Sequence, residues 1–180
     1  MPLVRELAIT AVGSDRPGIV AGMTDALLGL GANLLDCRAA LLRGSFAIVM
    51  AIELPDEISD DQVNAAIAAP ADALGLRVWV GDTHGDDHPH DAQPVRCIVS
   101  VYGADHPGIV SAVTRALAER HVNIVDLSSR SIGSPPVYVL GIEAELPLGM
   151  SVAALSSALQ PVASAQDINV SVEATDDEVI

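Results

Sequence analysis

Two stretches of the chain carry the same six-residue pattern, Gly-x-Asp-x-Pro-Gly, at Gly13 to Gly18 and again at Gly103 to Gly108. The pattern suits a passage from strand to helix. Gly13 and Gly103 permit unusual dihedrals at the strand end, Asp15 and Asp105 are placed to cap the helix, and Pro17 and Pro107 preset its first turn. Gly18 and Gly108 then let a ligand approach the backbone closely. The chemistry on offer is binding. The first N–H groups of a helix have no intrahelical acceptor and attract an anion, with a dipole contribution of roughly 0.3–1 kcal/mol and roughly 1.5–3 kcal/mol for each hydrogen bond to a charged group. A carboxylate is a natural guest there.

Asn33 and Asn123 open the strand that follows each helix. Their amides either face such a ligand or satisfy backbone groups at a strand entry. One helix separates the Gly-x-Asp turn from this strand, so the two lie at opposite ends of a single repeat. Bringing them onto one small molecule requires two repeats that present opposite ends to each other.

Catalytic constellations are missing. The chain has no Lys, which removes a phosphate-loop lysine and Schiff-base chemistry, and it has no nucleophile elbow or His-Glu-x-x-His. Gly29-Leu30-Gly31 lacks the third glycine and the preceding strand of a dinucleotide fingerprint. Cys37 and Cys97 align with Leu127 and Leu7 of the other repeat, which marks both as apolar packing positions. His84, His88 and His90 lie near Asp86 and Asp91, but a solvated linker does not preorganise them for a metal. No metal and no cofactor is expected.

These residues are positioned by a duplication. Residues 13–36 and 103–126 are identical at eleven of 24 positions, and Phe46 to Pro55 resembles Tyr138 to Pro147 after a two-residue slip. In each copy a short apolar run (Val4 to Val12; Val95 to Tyr102) predicts a buried strand, and helical spacing follows over Pro17 to Leu30 and Pro107 to Arg120. Gly31 is placed for a left-handed helix end, a role its counterpart His121 fits less well. Asn33 to Leu42 and Phe46 to Leu54 alternate around a hairpin turn at Arg43 to Ser45, answered by Gly133 to Pro136. A second helix (Asp60 to Leu74; Ser151 to Ala163) and a last strand (Leu76 to Val80; Ile168 to Val172) complete the order βαββαβ. The fold class is α+β: two tandem ferredoxin-like units, each an antiparallel four-stranded sheet with both helices on one face. The boundaries are 1–81 and 95–175, with an acidic, His-rich linker at 82–94 and an acidic tail at 176–180.

Composition narrows the partners. Nine Arg against 24 Asp plus Glu give a formal charge of −15. Such a field opposes phosphate contacts, and four aromatic residues offer little base stacking, so direct nucleic-acid binding is not expected. Arg5 and Glu6 interrupt a signal segment, no stretch of about 20 apolar residues follows, and two cysteines make no disulfide framework. A cytoplasmic protein without membrane contact is the reading.

The turns Asp-Arg-Pro-Gly-Ile-Val and Asp-His-Pro-Gly-Ile-Val, with Gly-Ala-Asn-Leu-Leu-Asp and His-Val-Asn-Ile-Val-Asp after the helix, resemble the ACT domain, an amino-acid-sensing regulatory module. Tandem copies resemble the glycine cleavage system transcriptional repressor family. The resemblance implies an amino acid bound between two ACT units, with Gly13, Asp15, Gly18, Gly103, Asp105 and Gly108 on the helix-start side and Asn33 and Asn123 facing them. Some members carry Asn where this chain has Asp15 and Asp105. An aspartate cannot donate to a carboxylate, so it is left to cap the helix or meet the ligand's ammonium. The implied function is a non-enzymatic regulator that binds a small amino acid, with glycine as the candidate, forms homo-oligomers and acts through a protein partner such as a transcription factor. The alternative is a ligand-free assembly protein built on ACT sheets.

Overall fold

A computed structural model describes residues 3–83 and 94–175. The chain divides into two compact units, residues 1–88 and 89–180. The first runs β1 (Val4–Ser14), α1 (Ile19–Leu28), β2 (Asn33–Leu42), β3 (Ser45–Pro55), α2 (Asp60–Leu74) and β4 (Leu76–Asp82). The second repeats it as β5 (Val95–Ala104), α3 (Ile109–Ala118), β6 (Asn123–Ile132), β7 (Val137–Leu146), α4 (Val152–Gln166) and β8 (Ile168–Ala174). Each sheet is antiparallel, in the order β2-β3-β1-β4 and β6-β7-β5-β8. This is the ferredoxin-like arrangement expected.

Alternation on the central strands decides which face the helices cover. Leu7, Ile9 and Ala11 of β1 and Ile48, Met50, Ile52 and Leu54 of β3 are buried, and they form one core with Ile19, Met23 and Leu27 of α1 and Val63 and Ile67 of α2. The second unit repeats this with Val99, Val101, Leu140 and Ile142 under Ile109, Val113, Leu155 and Leu159. Residues between them on each strand face the opposite, helix-free side. The buried residues of both cores carry no aromatic ring, with Phe46 and Tyr138 packed against them as partly buried neighbours.

β2 departs from expectation. All ten of its residues are exposed, because it is an outer strand that the helices do not cover. Cys37 is therefore exposed rather than packed, whereas Cys97 on the inner strand β5 is fully buried and its thiol is pushed up by that burial. A bulge between Leu34 and Asp36 interrupts the pairing to β3, and the same irregularity recurs between Ile124 and Asp126.

The helix ends follow local chemistry. Ser59 and Gln62 form a reciprocal capping box at α2, and Ser151 accepts from the Ala154 N–H at α4. At the end of α1, Gly31 takes the expected left-handed conformation while the Ala32 N–H reaches the Leu27 carbonyl. His121 adopts the same conformation, with φ 56°, at the matching place after α3. The linker histidines His84, His88 and His90, not expected to hold a metal, lie outside the described residues. Among those described, no helix is long and apolar enough to cross a membrane.

Gly13 and Gly103 need correction. Both sit inside strands, paired on both sides, and neither has a positive φ. Their smallness serves packing. A Cβ on Gly13 would lie 2.7 Å from the Gly75 carbonyl oxygen, and one on Gly103 would lie 2.6 Å from Cγ2 of Ile168. Gly13→Ala is expected to cost about 1–3 kcal/mol, since the obstructing atom is backbone and cannot rotate away. Urea unfolding checks this; an unchanged midpoint would show that the two strands separate freely.

Candidate functional site

The helix starts differ from the sequence reading in a way that bears on ligand binding. Each begins two residues later than expected, at Ile19 and Ile109, because Gly18 and Gly108 take the N-cap position in left-handed backbone, with φ 94° and 104°. Neither helix has a side-chain cap. Asp15 and Asp105 do not cap: they precede the N-cap by three residues and remain exposed. The Asp15 N–H instead donates to the Gly44 carbonyl in the β2–β3 hairpin turn, at 3.0 Å. The amides of the first helical turn are thus bare of side-chain acceptors in both repeats.

At the second helix start a concavity of about 510 Å³ is lined by Asp105, His106, Gly108, Val110, Ser111 and Tyr138, among others. Three of these residues have less polar or differently charged counterparts in the first repeat: Ser111 aligns with Ala21, Tyr138 with Phe46 and His106 with Arg16. The second site therefore offers two hydroxyls that the first lacks.

His106 is held by carbonyls at both ring nitrogens. Nε2 lies 2.8 Å from the Gln166 carbonyl oxygen at the end of α4, and Nδ1 lies 3.1 Å from that of Pro107. A neutral imidazole donates only one of these bonds and the imidazolium donates both. The ring is accordingly held above its ordinary value, first by the Gln166 bond and then by that to Pro107, with Asp105 and Asp167 adding charge and partial desolvation opposing. Arg16 occupies the matching position, with Nη2 3.9 Å from where a Cβ would stand on Gly75, the residue that ends α2. Both side chains thus place a basic group near the carbonyl end of the second helix. The alignment paired these residues, but it held no sign that their partner was a distant helix end.

Asn33 and Asn123 sit at the far end of their sheets from the helix starts. Asn33 stands opposite Glu53, itself opposite Glu6. Asp15 lies nine residues beyond Glu6, about 30 Å away along the strand. No single unit brings Asp15 and Asn33 together, as the topology required. The environments of the two asparagines also diverge. Asn123 donates to Oε2 of Glu145 at 3.2 Å, while Arg96 donates to Oε1 of the same carboxylate at 3.0 and 3.2 Å. In the first repeat Glu6 replaces Arg96, so Asn33 heads an acidic row.

The family model of the ACT domain matches residues 5–81 and 96–173. The chain belongs to the ACT domain family. Each unit is one ACT domain. The chain is 30% identical to a phosphoserine phosphatase of Mycobacterium tuberculosis over 175 residues, 96% of this chain and 42% of that protein. It is also 30% identical to the glycine cleavage system transcriptional repressor of Escherichia coli over 125 residues, 69% of this chain and 64% of that one. The chain thus spans less than two thirds of these relatives. Among solved structures, a protein of unknown function from Galdieria sulphuraria superposes with a TM-score of 0.83 at 24% identity, covering 97% of this chain and all of that one. A candidate glycine cleavage system transcriptional repressor superposes with a TM-score of 0.72, also at 24% identity, over 97% of this chain and 99% of that one. Both share the tandem ACT fold.

The His106 geometry makes a pH prediction. Its folded value is raised, so its contribution to stability is complete below the unfolded value of about 6.5 and is lost as pH rises through the folded value. The difference in melting temperature between the native chain and His106→Ala should therefore be larger at acid than at alkaline pH. NMR titration of the imidazole should place its midpoint above the ordinary histidine value of about 6.5; a midpoint at or below that value would refute the two-carbonyl arrangement.

Proposed function

We propose that this tandem ACT protein is a regulator that binds a small amino acid at the helix-start turns of paired ACT units, with an asparagine at a strand entry completing the site. The observation that carries the reading is the repeated N-cap glycine: twice, a left-handed Gly without a capping side chain leaves first-turn amides open to a carboxylate. Asp15 and Asp105, freed from capping, stand near enough to the turn to meet an ammonium group. The relatives support glycine or serine as ligand, since one represses a glycine cleavage system and the other is a phosphoserine phosphatase. The regulator acts through a protein partner, for which a transcription factor is the candidate, and the homo-oligomer supplies the paired units.

A second reading, assembly without a ligand, draws support from β2. This outer strand exposes Leu34, Leu35, Leu41 and Leu42 at 44–70%. Such an edge is a template for another strand.

Binding at a hundred times the dissociation constant adds about 2.7 kcal/mol of stability, enough to raise the melting temperature by several degrees. Glycine or serine at millimolar concentration should do so, and Asn33→Ala should abolish the shift while leaving the unliganded melting temperature nearly unchanged. Alanine is the cleaner replacement, because an aspartate at Asn33 or Asn123 would face Glu53 or Glu145 across the strand pair. If none of the twenty amino acids moves the melting temperature or produces heat on titration, the sensing reading falls and assembly remains.

A further inference from the structure

The helix-free face of the second unit carries a second concavity, remote in character from the helix start. It measures about 280 Å³ and lies over the middle of β5, β6 and β7. Pairing across the sheet places its residues in rows. Ser128, Gly141, Ser100 and Ser171 form one row; Arg130, Val139, Tyr102 and Asn169 form the next. Gly141 makes the floor, since its missing side chain is what opens the basin. The first repeat holds Val49 there, with Thr10 and the half-exposed Trp79 beside it, so its face is filled and apolar.

Charge around the basin is ordered. Arg130 lines it and has no ion-pair or hydrogen-bond partner among the described residues, although the chain carries a net charge of −15. On the other side of the serine row lie Asp126, Glu143 and Glu173. Glu143 is reached only weakly by Arg96, at 3.8 Å, and Asp126 has no partner among the described residues. Asp126 and Arg130 are four residues apart on β6, about 13 Å between Cα atoms, with Ser128 midway between them. Hydroxyls of Ser100, Ser128 and Tyr102 lie between, able to donate or accept.

We propose that this basin binds a small zwitterionic α-amino acid, separately from the helix-start site. The carboxylate meets Arg130 and the serine hydroxyls, and the ammonium meets Asp126 and Glu143. A bare anion is disfavoured by the acidic row and a bare cation by Arg130, so the charge order selects molecules carrying both. The volume lies just under the range of about 300–1,000 Å³ typical of drug-sized ligands, which limits the guest to a small side chain.

Titration of the full chain with L-serine, followed by amide NMR, tests this. The Ser128, Ser129 and Gly141 amides should shift and saturate, whereas the Ile109 and Val110 amides report on the helix-start proposal and succeed or fail independently. Gly141→Val, which imports the residue of the first repeat, should abolish the basin shifts. A Cβ at Gly141 meets nothing closer than Ser128 Oγ at 3.7 Å, so the fold tolerates it. Arg130→Gln should weaken binding about tenfold or more, as loss of a charged hydrogen bond implies, and it decides the matter should Gly141→Val melt early. Shifts that survive Gly141→Val in a folded protein, an affinity unchanged by Arg130→Gln, or no shift at all, overturn the proposal. So does acetate or methylamine binding as tightly as serine, because the site would then read one charge only.

Discussion

The close passage of the first strand of each unit past the start of its last strand governs what surrounds it. Between Gly13 and Gly75, and between Gly103 and Ile168, there is no room for a methyl group. The end of β1 is thereby pinned against the turn that follows α2, and the segment from Asp15 to Gly18 must cross from there to the helix in a fixed path. Gly18 supplies the left-handed step that the path needs, and Arg16 reaches the end of α2 on the way. The bare helix amides are therefore a consequence of packing. They are open because two strands approach too closely for any residue but glycine.

Duplication preserved that backbone and released the surface. The two units share element order, strand register and even the bulge near the start of the outer strand. Their side chains on the middle of the helix-free face have separated, with Val49, Trp79 and Thr10 in one and Gly141, Ser171 and Ser100 in the other. The row headed by asparagine likewise reads Asn33, Glu53 and Glu6 against Asn123, Glu145 and Arg96. Identical scaffolds with different charge orders are suited to different ligands or different partners, and core packing constrains none of these positions.

Element order, the hairpins and the inward-facing residues were legible in the sequence because each rests on local information: period-two alternation, helical spacing and turn glycines. The long-range terms were not. Aspartate before a Pro-Gly pair suggested a cap, yet the cap position fell to Gly18, because the left-handed turn needs the one residue without a Cβ. Cys37 aligned with a leucine and was assigned to the core, but coverage by helices depends on a strand's place in the sheet, and the outer place of β2 leaves even leucines exposed. The bond from His106 to Gln166 spans 60 residues, and nothing nearby in the chain foreshadows it. The basin at Gly141 lay hidden for the same reason: its hydroxyls come from β5 and β6, which only the sheet order places on either side of β7.

Each core is complete within its own unit, built from buried aliphatic residues with no buried polar group among those described. Such cores are densely packed and resist small displacements. A ligand at a helix start has little prospect of altering them, so a regulatory signal has to be expressed in how units associate. That in turn demands a guest that distinguishes one association from another, since equal affinity for two states moves neither. A helix start alone cannot make this distinction, because its amides are present whether or not a partner is. In the proposed site only a facing residue would do so, since it is supplied when units pair. The Asn123 end of the second sheet, where Glu145 and Arg96 hold the amide, is where that proposal puts the coupling between ligand and assembly.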